Sequence, residues 1–308
     1  MKAVRIHRFG GPDVLSVEET PVPKPGEGEV RIRVSAASVN PVDYKIRGGG
    51  YPRVKADQLP MTLGRDVAGR IDALGPGVTD QRVGEAVYAM LPPGRGGYAE
   101  FVTVKAADCA RAPGRVDAVG AAAVPLAGLT AWQGLFDQGG LSAGQSVLIH
   151  GAAGGVGHLA VQFARARGAT VIATARAEDR DFLQGLGADQ VIDYKAERFE
   201  DAAPRVDMVF DLVDGETQDR SWTVLKDGGA LISTLRAPDE ARAAERHARA
   251  GVYMAHPDGR ELEEIARLID SGQVTPTVAR TYPLEAAAAA EQALEQEHVR
   301  GKIVLQVG

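Results

Sequence analysis

The run Gly151-Ala152-Ala153-Gly154-Gly155-Val156-Gly157 has the residue types and spacing with the clearest chemistry in this chain. Glycines leave the main chain uncovered, where a Cβ would block both a tight turn and the close approach of an anion. The apolar run Val147-Leu148-Ile149-His150 precedes it, and His158-Leu159-Ala160-Val161-Gln162-Phe163-Ala164 follows with helical spacing. Strand, turn and helix in that order present N–H groups and the positive end of a helix to a dinucleotide pyrophosphate. The spacing departs from G-x-G-x-x-G, and alone the run also reads as an ordinary glycine-rich turn. Its flanking strand and helix favour the nucleotide.

A second candidate group lies one strand later. Val171 to Thr174 runs into Ala175-Arg176, with Arg180 one turn on. An acid at this strand tip binds the 2′-hydroxyl of NAD, whereas an arginine accommodates the 2′-phosphate of NADP. Arg176 is placed for that charge-assisted contact, so NADPH is the expected cofactor. Arg180 reads equally as a solvated surface charge. Glu178 and Asp179 point the other way, since an acid turned inward favours NAD. Cys109, the one cysteine, can form no internal disulfide and reads as inert. The six histidines show no H-x-x-x-H spacing. No metal site is expected.

The elements that must position these residues follow from hydrophobic periodicity. Further apolar runs stand at Val171-Ile172-Ala173, Val191-Ile192, Met208 to Val213, Ala230-Leu231-Ile232 and Val252-Tyr253-Met254, most of them separated by helical segments. Six strands alternating with helices predict a doubly wound α/β domain with a parallel sheet. Before it, Val30 to Val34, Val67 to Ile71 and Tyr98 to Val102 alternate with period two between turn residues. That pattern predicts a small, mostly antiparallel β domain. Residues 259–271 read as a helix with Leu262, Ile265, Leu268 and Ile269 on one face. A strand (Thr277 to Thr281), an alanine-rich helix (284–296) and a strand (Lys302 to Val307) end the chain. The expected division is 1–117, completed by 273–308, and 118–272, with the ligand in a cleft between them.

Composition sets outer bounds. A chain of 308 residues, 44% hydrophobic, can bury two cores. A net charge of −6 argues against nucleic-acid or anionic-membrane surfaces. The start Met1-Lys2-Ala3-Val4-Arg5-Ile6 lacks a signal-peptide apolar region, and no apolar stretch is long enough for a bilayer. A cytoplasmic protein is expected.

Seven motifs in series resemble the medium-chain dehydrogenase/reductase superfamily across nearly the whole chain. They are Val39-Asn40-Pro41-Val42-Asp43, Leu63-Gly64-Arg65-Asp66-Val67-Ala68-Gly69, Gly96-Gly97-Tyr98-Ala99-Glu100-Phe101-Val102, Pro125-Leu126-Ala127-Gly128-Leu129-Thr130-Ala131, Ala152 to Gly157, Leu186 to Tyr194 and Gly301-Lys302-Ile303-Val304-Leu305. Their order is similar to that of the zinc-free quinone oxidoreductase, zeta-crystallin-like branch. The resemblance implies a GroES-like β-rich catalytic domain beside a Rossmann domain. In the superfamily's zinc enzymes a cysteine begins the motif that here starts at Asn40, and Gly-His-Glu stands where this chain has Gly64-Arg65-Asp66. Without a Lewis acid, alcohol oxidation loses its main aid. Hydride delivery to a quinone or α,β-unsaturated carbonyl remains feasible, and NADPH-dependent reduction of such an acceptor is the expected activity.

The resemblance places Asn40 at the nicotinamide and substrate, Thr130 near the carboxamide, and Tyr194 beside the 2′-phosphate. Asn40 can instead cap the turn at Pro41, and Asp43 can be a structural carboxylate bonding backbone donors. Tyr44 and Tyr51 read as proton donors, stacking faces or half-buried packing. Asp66 reads as an ion-pair partner of Arg65 or another base. Val213, Thr234 and Leu235, just beyond strands four and five, are expected at the ribose or nicotinamide. Lys302 sits either near the cofactor or exposed at its strand start. Two other classes stay open: an NADPH-binding module without turnover, and a zinc alcohol dehydrogenase. Relatives of this kind often dimerise through the sheet edge, here near Gly251 to Met254, so a homodimer is expected.

Overall fold

The computed structural model describes residues 1–308. They divide into two compact units, one of 1–126, 256–272 and 276–308, the other of 127–255 and 273–275. The boundaries expected from sequence differ from these, most of all at the helix Gly259–Asp270, which belongs to the first unit. Its buried face is Leu262, Ile265, Ala266 and Ile269. Periodicity marked that face but could not say which sheet covers it. Tyr88 of the first unit gives its hydroxyl to the Leu262 carbonyl, and a Cβ on Gly259 would lie 2.8 Å from the Cys109 carbonyl oxygen.

The first unit contains β1 (Lys2–Ile6), β2 (Ser16–Glu19), β3 (Glu29–Val39), β4 (Met61–Thr62), β5 (Asp66–Leu74), β6 (Ala86–Met90), β7 (Phe101–Lys105) and β8 (Cys109–Arg111). The second contains β9 (Ser146–His150), β10 (Thr170–Ala175), β11 (Gln190–Asp193), β12 (Val206–Asp211), β13 (Leu225–Ser233) and β14 (Arg249–Val252). The chain then returns to the first unit with β15 (Val278–Pro283) and β16 (Lys302–Gln306).

In the first unit β1 pairs with β2 and β4, and a larger sheet runs β15-β16-β3-β5-β6-β8 with β7 also on β3. All these pairings are antiparallel except β15 with β16. Along β3 the even positions Val30, Ile32 and Val34 are buried, as period two requires. From Ala36 to Val39 every residue is buried, because this half of the strand is covered on both faces. Its register brings distant residues together. Ile303 pairs with Val39, which sets Lys302 opposite Asn40. Ala36 pairs with Ala68, which sets Asp66 beside Ser38.

The second unit is a six-stranded sheet in the order β11-β10-β9-β12-β13-β14, parallel throughout. That is the doubly wound dinucleotide-binding order. The last strand is Arg249–Val252, earlier than the apolar run at Val252 to Met254. Its partner β13 ends at Ser233, which pairs with Val252. Met254 stands exposed beyond the last paired residues of this edge. No helix is long and apolar enough to cross a membrane.

Candidate active site

The glycine turn leaves β9 at Gly151, whose φ of +71° is a left-handed conformation that glycine adopts without steric cost. Within the turn Gly154 N–H donates to the Gly151 carbonyl at 3.2 Å, and His158 N–H to the Gly154 carbonyl at 3.0 Å. The N–H groups of Gly155, Val156 and Gly157 take no main-chain carbonyl. They open the helix Gly157–Ala166, buried from Gly157 to Ala164. A Cβ on Gly157 would be driven into the Gly151 carbonyl and lie 2.6 Å from the Ala152 Cα. The turn can close this tightly only with glycine there. Ala152 and Ala153 are buried beneath it. His150, last residue of β9, bonds Thr174 Oγ1 at 2.9 Å and Ser221 Oγ at 3.0 Å. Burial pushes its imidazole down to about 4, so it stays neutral as a tie between strand ends.

Arg176 follows β10 directly. Its Nε donates to the Tyr194 hydroxyl at 3.4 Å, and a terminal nitrogen stands 3.4 Å from Glu178 Oε1. Glu178 therefore faces the arginine, and Asp179 is buried. Arg180 is exposed at the start of the helix Arg180–Gly185. Tyr194, Val213 and Leu235 are 52%, 49% and 44% exposed, and all three stand just past the ends of β11, β12 and β13. Thr234 is half-buried beside Leu235. Thr130 is buried, and its carbonyl accepts the Tyr253 hydroxyl.

Asp211 organises this edge and was not singled out from sequence. Fully buried at the end of β12, it accepts Val213 N–H, Asp214 N–H, Gln218 Nε2 and Ser233 Oγ, each at 3.0 Å. Four donors satisfy both carboxylate oxygens, and the loops bearing Val213 and Leu235 are tied to one atom pair. The available signal was an acid ending an apolar strand, Val209-Phe210-Asp211.

The first unit has a separate buried polar centre. Asp43 Oδ2 accepts the Asn40 backbone N–H at 2.8 Å and the Tyr98 hydroxyl at 3.1 Å. The Asp43 carboxylate thus caps the helix Pro41–Arg47, while the Asn40 side chain turns elsewhere. Asn40 Nδ2 donates to Asp66 Oδ2 at 2.8 Å, and Asn40 Oδ1 accepts the Lys302 ammonium. Lys302 also donates to the Val39 carbonyl at 2.9 Å and lies 3.9 Å from Asp66. It is only 3% exposed. The alternative of a solvent-exposed lysine is corrected: the β3–β16 register carries its side chain inward. Of the partners expected for Asp66, Arg65 gives its Nε to the Leu91 carbonyl instead, and the base beside Asp66 is Lys302. Burial pushes the Asp43 carboxyl up to about 6 and draws the Lys302 ammonium below its usual range.

Asn40, Asp43 and Lys302 are therefore joined in one network. Tyr44 is half-buried, its phenol raised by burial and by Glu295. Tyr51 packs partly buried against the first unit's core. Tyr98, fully buried with its hydroxyl on Asp43, is the tyrosine that belongs to the centre. Its signal was its place within the Gly96-Gly97-Tyr98-Ala99 motif.

Fold and motifs together define a two-unit dehydrogenase. Residues 26–114 match the family model of the alcohol dehydrogenase GroES-like domain, and residues 186–305 match that of zinc-binding dehydrogenases. Quinone oxidoreductase of Mus musculus is 33% identical, over 99% of this chain and 97% of that protein. The chloroplastic NADPH-dependent alkenal/one oxidoreductase of Arabidopsis thaliana is 36% identical, over 99% of this chain and 79% of that one. The solved structure of quinone oxidoreductase from Coxiella burnetii is 36% identical, covers 100% of this chain and 99% of that chain, and superposes with a TM-score of 0.92. The chain belongs to the medium-chain dehydrogenase/reductase superfamily, in its quinone oxidoreductase branch.

Proposed function

We propose that this protein is an NADPH-dependent, zinc-independent reductase of quinones or α,β-unsaturated carbonyls. The observation that carries the cofactor is the carboxyl edge of the parallel sheet, where the glycine turn, Arg176 with Tyr194, and exposed Val213 and Leu235 stand together. The turn's N–H groups suit a pyrophosphate, the guanidinium suits a 2′-phosphate, and the apolar pair suits a ribose or a flat ring. NADPH bound there supplies a hydride. The turn from Gly151 through Ala152, Ala153 and Gly154 would present the open N–H groups of Gly155 and Val156 to the pyrophosphate, Arg176 and Tyr194 would hold the 2′-phosphate with Arg180 adding charge, and Thr130, Val213, Thr234 and Leu235 would hold the nicotinamide half. Asn40, Asp43 and Lys302, with Tyr44 and Tyr51 as neighbours, are assigned to the reacting end. Orientation and exclusion of water supply most of the acceleration. The proton that completes the reduction is assigned to solvent. The named relatives, a quinone and an alkenal/one oxidoreductase, support this acceptor class.

Zinc independence is supported by the donor set at the positions where zinc relatives bear cysteine, histidine and glutamate. Here they are an amide, a guanidinium and a carboxylate already held by an ammonium, which is poor chemistry for zinc. Prolonged treatment with a strong chelator is expected to leave thermal stability and turnover unchanged. Activity lost on chelation and restored by zinc would overturn this.

The cofactor assignment has its own expected result. Arg176→Ala should weaken NADPH binding by at least about tenfold, the scale of a charged contact to phosphate, and leave NADH binding nearly unaltered. Titration of both cofactors measures it, and equal losses would remove Arg176 from the 2′-phosphate. Steady-state NADPH oxidation against naphthoquinones, benzoquinones and enals tests the activity itself. Binding without oxidation across that panel would favour a non-catalytic module.

A further inference from the structure

Resting on the reading of this chain as an NADPH-dependent reductase, we propose that Lys302 and Asp66 are positioning residues that lock the Asn40 carboxamide in one orientation and leave it able only to accept. A primary amide has two N–H donors and two acceptor lone pairs. Asn40 Nδ2 gives one hydrogen to Asp66 Oδ2 at 2.8 Å, and its other hydrogen faces the Ser38 carbonyl at 3.4 Å. Asn40 Oδ1 takes the Lys302 ammonium. One lone pair is left.

The orientation is fixed by charge. A half-turn of the amide would set its N–H groups against an ammonium and its oxygen against a carboxylate, exchanging two charge-assisted bonds for two repulsive contacts. Both charges are themselves held. Asp66 accepts Ser38 Oγ at 2.5 Å on one oxygen and the Leu126 N–H at 2.6 Å on the other, and Lys302 is anchored on the Val39 carbonyl at 2.9 Å. Asn40, Asp66 and Lys302 are each at most 3% exposed, so water cannot easily replace any partner.

The consequence is a rule of recognition. With one hydrogen on Asp66 and the other turned to the Ser38 carbonyl, Asn40 is poorly placed to donate to the oxygen of a quinone or enone or to stabilise an oxyanion. Its remaining lone pair can accept one hydrogen bond, so a ligand group that reached it would have to carry an amide N–H or a hydroxyl. This assigns Asn40 to aligning a donor-bearing partner, and makes the lysine–aspartate pair the device that sets the direction of that acceptor.

The test combines side-chain amide spectroscopy with kinetics. In the native protein the Asn40 carboxamide, assigned by its loss in Asn40→Ala, is expected to give one pair of slowly exchanging hydrogens. Two pairs, or rapid exchange, would overturn the lock without need of any further variant. In Lys302→Met the pair should broaden or double, and kcat should fall by about tenfold or more, the scale of a lost charged hydrogen bond. Its NADPH dissociation constant should stay within about threefold of the native one. Lys302→Arg should restore the single pair and most of kcat. An unchanged Asn40 pair in folded Lys302→Met, or equal losses in kcat and NADPH affinity, would sink the proposal. If the native protein reduces no acceptor, the functional reading fails, while the native spectrum still decides the lock.

Discussion

Gly155→Val is expected to yield a folded protein whose NADPH affinity has fallen by at least about a hundredfold, a loss near 3 kcal/mol. Gly155 lies in the turn between β9 and the helix Gly157–Ala166, partly exposed, with an N–H that takes no main-chain carbonyl. A branched side chain there occupies the place where phosphate must approach the backbone. It fills no core position, so circular dichroism and thermal unfolding should change little. Gly157 supplies the contrast, because a Cβ there collides with the turn's own backbone at Gly151 and Ala152. Gly157→Val should lose stability and cofactor together. Asn40→Ala should keep NADPH affinity and lose mainly turnover. Calorimetric titration of the three variants separates these results. Normal affinity in Gly155→Val would reduce the turn to a glycine-rich loop and remove the chief support for a nucleotide there.

The sheet of the second unit was legible because its central strands β9, β10 and β12, buried along most of their length, are short apolar runs bounded by turns. Only its edge misled: Val252-Tyr253-Met254 is apolar, yet strand pairing stops at Val252 because β13 has ended. Period two exposed the first-unit strands, as in Val30 to Val34. The helix Gly259–Asp270 shows the limit of such reading, since amphipathicity identifies a buried face without naming what buries it.

The polar centre of the first unit was legible only in part, for a related reason. Ser38, Asn40, Asp66 and Lys302 are brought together by strand registers spanning most of the chain, and Tyr98 joins them through Asp43. Asn40 stood out through the motif at Pro41. Nothing local to Lys302 distinguishes a buried ammonium from an exposed one at a strand start. Asp211 is similar, since its role depends on Gln218 and Ser233 arriving from other elements.

The buried acids of the first unit give the second large effect, on stability as a function of pH. Arg47 meets Glu291 at 2.9 Å and the exposed Glu295 at 3.0 Å, while Glu291 Oε1 and Asp43 Oδ1 have no hydrogen-bond partner. Burial, with Asp43 nearby adding to it, pushes the Glu291 carboxyl from 4.5 up to about 8, against the opposing pull of Arg47. Glu295 adds to the upward push on Glu291, and Tyr98, which also faces it, stays neutral, held far above its usual range by burial. In the unfolded chain Glu291 releases its proton near 4.5, whereas in the folded protein it keeps it until about pH 8. Across that window the folded state binds more protons, so stability must fall as pH rises. The stabilising contribution is complete below about 4.5 and gone above about 8. At about 1.4 kcal/mol per pH unit of displacement, the effect is on the order of a few kcal/mol. Glu291→Gln mimics the protonated acid and can still accept from Arg47. Its unfolding free energy should exceed that of the native protein at pH 8.5 and match it near pH 4.5, flattening the profile between. Denaturant unfolding of both proteins across that range measures the difference. Parallel profiles would show that Glu291 is ionised in the folded state and that Arg47 compensates its charge.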